Sequence, residues 1–223
     1  MQPRRLQAEF MNEILEVSNF DIEKIIKDLR IQGGTSLPFL KDKFRQKLVE
    51  EAMKYPFKAA PEYVGTAGVR QQLSSFFEFP EESLFFQLRD EFTNLLEDSF
   101  NQLENPLFKE KLNFNEMQLQ KYEAGSIGIT AHRDHIKYRN LIAIFYLEGS
   151  AKFYICEDIN GKNTIELDAA PGNLILLRAP GFYDLLKRPY HFATDIVGER
   201  YLFSLRCDST PGDAWVSQYR PIN

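Results

Sequence analysis

Histidine and cysteine are both scarce in this chain: 223 residues hold three histidines and two cysteines. Cys156 and Cys207 could pair in principle, but they lack any CxxC arrangement and each sits in an apolar, strand-like run. Buried free thiols in a reducing, cytoplasmic compartment are the expectation. No stretch approaches the roughly 18 apolar residues of a membrane-spanning helix. The opening MQPRRLQAEFMNEILE spreads charges through a helical pattern and has no apolar signal segment. Internal repeats and low-complexity tracts are missing too. Nor is there an excess of positive charge: 27 Lys and Arg face 32 Asp and Glu, for a net charge of −5, which argues against a general polyanion binder. What remains is ordinary globular material, 43% hydrophobic and 26% charged, with 19 Phe, 10 Tyr and one Trp.

The two halves differ in texture. Apolar residues recur at helical spacing over Arg5–Glu16, Asp21–Leu29, Pro38–Tyr55 and Pro80–Leu103, with Gly33-Gly34 closing the second helix and Pro80-Glu81-Glu82 opening the last. Between the last two lies a Pro- and Gly-bearing stretch, residues 56–79, that ends in the strand-like QLSSFFEF and reads as a lid or a loose loop. From residue 116 the pattern becomes short runs divided by turns, about eight strands in all, as in an antiparallel sandwich or barrel. LIAIFYL and LILL are apolar on both faces and need a cover, which the N-terminal helices can provide. The expected fold class is α+β: one domain over 1–223, with mainly helical support (1–115) that includes the possible lid 56–79, a strand-rich core (116–208) and a tail (209–223).

All three histidines, His132, His135 and His191, fall in the strand-rich half. Residues i and i+2 of a strand share a face, so His132-Arg133-Asp134 projects an imidazole and a carboxylate together. A third donor from a distant strand, for which His191 is the candidate, makes two histidines and one carboxylate, a set suited to non-haem Fe(II). Ordinary surface or core histidines are the bland alternative. The last strand, Arg200-Tyr-Leu-Phe-Ser-Leu-Arg206, sharpens the choice. Arg200, Leu202, Ser204 and Arg206 share one face and Tyr201, Phe203 and Leu205 the other, so a central strand buries two guanidinium groups. That is costly without anions to meet them, and a buried dicarboxylate ligand would serve. An edge strand with solvated arginines is the alternative.

From Met117 to Arg206 the chain resembles the double-stranded β-helix of the 2-oxoglutarate- and Fe(II)-dependent dioxygenases, in their AlkB and prolyl-hydroxylase branches. The shared features are Gln120-Lys-Tyr122-x-x-Gly125, His132-Arg133-Asp134, Pro171-Gly172-Asn173-Leu174, Tyr190-His191, and Gly198-Glu199-Arg200 with Arg206 six residues on. The resemblance implies that His132, Asp134 and His191 bind Fe(II), and that Arg200, nine residues after His191, pairs with the distal carboxylate of 2-oxoglutarate. It implies that Tyr122, with Gln120 two residues before it, faces this co-substrate, and that Arg206 supports it and the ligand aspartate. It also implies O2 as oxidant with succinate and CO2 released, and Asp134 favours oxygen transfer over halogenation. Gln120 and Leu202 stand where AlkB relatives have Asn, and the His-to-Arg gap is that of prolyl hydroxylases. Nucleic acid is therefore not the favoured substrate.

On the substrate side, Arg70, His135, Tyr138, Arg178 and Tyr183 are candidate contacts. Lys137, Arg139, Arg178, Lys187 and Arg188 cluster in sequence around the ligand segments, either as a solvated rim or as a basic mouth for an anionic substrate. The leading expectation is an oxygenase that hydroxylates or demethylates a small molecule or amino acid. A demethylase of nucleic acid or protein and a non-catalytic binding module remain as alternatives.

Overall fold

The computed structural model describes residues 13–65, 68–108, 111–184 and 186–210. Helix α1 (Ile22–Ile31) starts where the Asp21 side chain accepts the Lys24 amide at 3.0 Å, and it turns Ile25 and Leu29 inward. Helix α2 (Asp42–Ala52) buries Phe44, Leu48 and Ala52. Helix α3 (Leu84–Phe100) buries Phe85, Leu88, Phe92, Leu95 and Leu96 along one stripe. It begins four residues later than the proline rule suggests. Ser83 is the cap: its hydroxyl accepts the Phe85 amide at 3.1 Å, and Glu51 from α2 accepts the Leu84 amide at 3.1 Å. Of the helix expected over Arg5–Glu16, residues 5–12 lie outside the described part. Beyond them Leu15 is buried and forms a β-bridge with Leu40.

Eleven strands are described: β1 (Gly34–Pro38), β2 (Lys58–Ala59), β3 (Tyr63–Val64), β4 (Val69–Arg70), β5 (Ser74–Phe76), β6 (Glu116–Tyr122), β7 (Ile129–His132), β8 (Tyr138–Cys156), β9 (Ile165–Leu167), β10 (Asn173–Arg178) and β11 (Tyr190–Asp208). All pairings are antiparallel. The N-terminal half, mainly helical by its pattern, also supplies β1, β2 and β5, which extend the main sheet at both edges. Segment 56–79 folds as β2, the β3–β4 hairpin and β5, and the hairpin is tied to β7 by a Gln71–Ile129 bridge. Tail residues 211–223 lie outside the described part.

Strands β8 and β11 organise the fold, since each runs for 19 residues and bends half-way. The register places the first half of β8 against the second half of β11 in a layer ordered β1-β10-β8-β11-β6-β5-β2. The other halves continue into a second layer with β7 and β9. Two strands shared between two layers make the jelly-roll. Sequence reading breaks each of them into two, because Glu148-Gly-Ser150 and Val197-Gly-Glu199 look like hairpin turns but are bends inside continuous strands.

Period-two alternation then sorts the side chains. Leu141, Ala143, Phe145 and Leu147 of β8, with Tyr201, Phe203 and Leu205 of β11, join the helices in an outer core. Ile142, Ile144 and Tyr146, with Leu202, Phe153 and Ile155, face the interior between the layers. Both cysteines are buried and unpaired, and no helix among the described residues is long and apolar enough to cross a membrane.

The β8 bend depends on Gly149 at φ +81°, where an added Cβ would lie 2.4 Å from the Glu199 carbonyl oxygen and 2.7 Å from Arg200 Cα. Gly161 has a similar φ, +77°, but its nearest neighbour, the Thr164 hydroxyl, is 3.6 Å away. Gly161→Ala therefore adds only backbone strain, about 1 kcal/mol, whereas Gly149→Ala adds a backbone clash and should cost roughly 3 kcal/mol or more. Thermal unfolding of the two variants checks this; equal losses would contradict the assigned bend.

Candidate active site

The ladder between β6 and β11 sets the inner face of the site. Tyr122 pairs with Arg200, Gln120 with Leu202, Gln118 with Ser204 and Glu116 with Arg206, so all eight side chains share one side of the sheet. At the opposite end of β11, His191 pairs with His132 of β7. One bent strand thus delivers an imidazole from one layer and two guanidinium groups from the other to the same interior.

His132, Asp134 and His191 converge. The imidazole centroids are 4.3 Å apart, and His191 Nε2 lies 3.3 Å from Asp134 Oδ2. His132 Nδ1 sits 2.8 Å from the Thr130 carbonyl, which can only accept, so Nδ1 carries the proton and the lone pair is on Nε2. Burial pushes the His191 imidazole down to about 3, with neighbouring His132 pushing the same way and Asp134 opposing; burial lowers His132 as well. Burial alone would raise Asp134, but its charged neighbour Arg206 leads the opposing influences, and the carboxyl is held below the usual carboxylate range. Two neutral imidazoles and an ionised carboxylate are the protonation states a divalent cation needs. The donors touch one another here: among the described residues no three such side chains are set around a ready metal-sized centre. Metal binding would require side-chain adjustment around Asp134, which lies just beyond the end of β7 rather than on it.

A narrow cavity of about 40 Å³ runs from these three residues to Arg200, lined also by Tyr122, Phe153 and Arg206. Arg200 is fully buried, with its guanidinium carbon 4.7 Å from the Tyr122 ring centroid and 4.8 Å from that of Tyr146. Nη2 donates to the Tyr146 hydroxyl at 2.8 Å, while Nε and Nη1 have no hydrogen-bond partner. Burial pushes the Tyr146 hydroxyl up to about 12, so it stays a neutral phenol beside the cation. No carboxylate of the described residues reaches Arg200. A buried guanidinium with two idle donors is very costly in a protein interior, and a bound carboxylate is the chemistry that would satisfy it.

A second, larger cavity of about 350 Å³ opens from the same histidine and aspartate. It is bounded by the β3–β4 hairpin through Val64, Gly65 and Val69, and by Gln71, Gln120, His135 and Tyr138. Gln120 lines both cavities. His135 is exposed on the larger one, and its Nδ1 accepts the Lys137 amide at 3.1 Å. Tyr138 is buried there and donates to Glu116 at 2.9 Å.

Three of the suggested substrate contacts do not reach this space. Arg178 is buried with its donors spent on the carbonyls of Leu29 (3.0 Å), Arg30 (2.8 Å) and Lys187 (3.0 Å), so it ties the end of α1 to β10. Arg70 pairs with Glu62 at 2.9 Å within its own hairpin. Tyr183 is exposed at φ +50° beneath Arg30 and lines neither cavity. The basic rim also thins out: Lys137 is buried against Asp208 at 2.6 Å, and Arg188 donates to the Asp134 carbonyl. Arg133 takes their place, exposed on the larger cavity and stacked 4.5 Å over Tyr190. Tyr146, Phe153 and Glu116 went unnoticed in the sequence. Setting β6 antiparallel to β11 pairs Glu116 with Arg206 directly, whereas Tyr146 becomes visible only once the β8 register is known.

No family model and no curated protein sequence matches the chain. Solved structures do. A prolyl hydroxylase from Trichoplax adhaerens, in complex with a hypoxia-inducible-factor peptide fragment, aligns over 94% of both chains at 13% identity and TM-score 0.63. A 2OG-Fe(II) oxygenase family protein from Burkholderia pseudomallei aligns over 86% of this chain and 93% of its own, at 14% identity and TM-score 0.63. This chain has the double-stranded β-helix fold of those oxygenases. A prolyl-4-hydroxylase from Pseudomonas putida is similar as well, over 83% of this chain and 98% of its own, at 13% identity and TM-score 0.56.

Because Arg200 is a buried cation lacking an anion, Arg200→Met should stabilise the ligand-free protein, by about 1–4 kcal/mol, at the expense of any carboxylate binding. Differential scanning calorimetry without added ligand checks the sign. A lower melting temperature would mean that the guanidinium already has its compensation inside the fold.

Proposed function

We propose that this protein is an Fe(II)- and 2-oxoglutarate-dependent oxygenase that hydroxylates, or oxidatively demethylates, a small amino-acid-like substrate carrying an anionic group. The observation that carries the reading is the inner cavity, with two neutral imidazoles and a carboxylate at one end and an unpaired buried guanidinium at the other. His132, Asp134 and His191 would hold the iron, a donor set that leaves positions for a chelating co-substrate and O2. With 2-oxoglutarate and O2 it supplies oxidative decarboxylation: succinate and CO2 are formed, and one oxygen atom enters a substrate C–H bond.

The chain's own residues do the placing. Arg200 takes the distal carboxylate of 2-oxoglutarate through guanidinium N–H groups that the fold leaves unpaired, and the Tyr122 and Tyr146 rings hold the guanidinium in place. Arg206, 3.3 Å from Asp134 Oδ1, orients the carboxylate. Phe153, stacked 5.7 Å from His191, keeps that side dry. The substrate occupies the larger cavity, where Arg133 has no carboxylate partner among the described residues and is free to meet an anionic group. A peptide side chain is the second reading, favoured by the likeness to a hydroxylase whose structure holds a peptide fragment.

Anaerobic addition of Fe(II) and 2-oxoglutarate should give a metal-to-ligand charge-transfer band, and O2 should then yield succinate. His132→Ala should lose the band. Arg200→Ala should leave Fe(II) bound but raise the 2-oxoglutarate requirement by at least tenfold, since a charge-assisted pair is lost. A wild-type protein without the band would overturn the reading.

A further inference from the structure

Behind Asp134 lies a second set of charges that the reaction itself does not call for. Arg206, whose Nε faces Asp134 at 3.3 Å, donates through Nη1 to Gln118 at 2.8 Å and to Glu116 Oε1 at 3.2 Å. The other oxygen of Glu116 accepts the Tyr138 hydroxyl at 2.9 Å and lies 3.8 Å from the Lys137 ammonium. Lys137 closes on Asp208 at 2.6 Å, at the far end of β11. Glu116 is 3% exposed, and Gln118, Lys137, Tyr138 and Arg206 are all buried. Ion pairs this deep are at best weak contributors to stability, because desolvation takes back most of the Coulomb gain. Their constraint on geometry is stronger. Arg206 stands between two carboxylates, and whatever holds it to Glu116 keeps it from closing fully on Asp134.

We infer that Glu116 is a positioning residue for the metal site: it shares Arg206 with Asp134, leaving Asp134 Oδ2 turned towards His191 and negative enough to bind a cation. The inference rests on the metal reading above. It has a definite sign. Without the Glu116 charge, Arg206 loses one of the two carboxylates that hold it among the described residues, turns more fully to Asp134 and competes with the metal. The buried set also loses one of its three carboxylates, Glu116, Asp134 and Asp208, against the two cations Arg206 and Lys137. Both changes weaken cation binding. Lys137, through Asp208, and the Ser209 amide bonded to the Lys137 carbonyl at 3.0 Å pin the Asp134 loop to the end of β11, so the arrangement is braced from both sides.

Mn(II) serves as the probe, titrated into the metal-free protein and followed by electron paramagnetic resonance. Glu116→Gln keeps the shape and an acceptor for Tyr138, and should raise the Mn(II) dissociation constant about tenfold or more, the usual scale for losing an outer partner of a ligand. Tyr138→Phe, which removes the hydroxyl that donates to Glu116, should raise it by a smaller factor and covers the case in which Glu116→Gln does not fold. Glu51→Gln breaks a comparable helix-capping cluster on Tyr55 and Ser83 far from the site, and should lower the melting temperature with Mn(II) affinity unchanged. Should Glu116→Gln lower the melting temperature yet bind Mn(II) like wild type, Glu116 is merely structural and the inference falls. Should wild type itself bind no Mn(II), the metal reading falls and takes this inference with it.

Discussion

The constraint on which the rest depends is the charged inner face of β11. A strand that turns Arg200 and Arg206 into the interior cannot be stabilised by apolar packing on that side, so each guanidinium dictates what surrounds it. Arg206 is answered from within the fold, by Glu116, Gln118 and Asp134. Among the described residues Arg200 is answered only by aromatic rings and one phenol hydroxyl. The outer face of the same strand, Tyr201, Phe203 and Leu205, holds it against the helices, and that packing is what makes the inner charges tolerable. Stability and function are therefore divided between the two faces of one strand.

That division explains what was legible in the sequence. Alternation in Arg200–Arg206 is a strong signal because one face is uniformly apolar and the other uniformly not, and it is enough to place both arginines indoors. The His132-x-Asp134 spacing and the lone distant His191 are legible for a similar reason, scarcity leaving few alternatives. The helices follow from 3.6-residue periodicity, although the start of α3 shifts to Ser83 because a side chain of α2, invisible to local reading, completes its cap.

The illegible parts share a cause as well. Glycines at positive φ are ambiguous between a hairpin and a bend, so β8 and β11 read as four strands, and the device that joins the two layers is hidden in Gly149 and Gly198. Strands β1 and β2 are too short to show a period and are fixed by neighbours far along the chain, whereas β5 falls within the strand-like run 72–79. Arg178 sits beside the ligand segments in sequence but spends its donors on the end of α1, since a basic residue near the site in sequence is not thereby near it in space.

The contrast between the two buried arginines carries one step further. An arginine wholly neutralised by the protein would have no use for a ligand, and one wholly unanswered would be paid for in stability at every moment the ligand is away. Arg200 lies between these limits. Two tyrosine rings lessen the desolvation cost without engaging Nε and Nη1, so the guanidinium is held in place while these two donors stay available. Stacking is the compromise that permits this: a carboxylate partner in the chain would have stabilised the fold more and closed the cavity to any external dicarboxylate. Gly149 adds a backbone element beside it, because only a residue without a Cβ lets the β8 backbone pass this close to Glu199 and Arg200. The strained bend, the stacked tyrosines and the idle donors are thus one adaptation read at three levels, backbone, packing and charge.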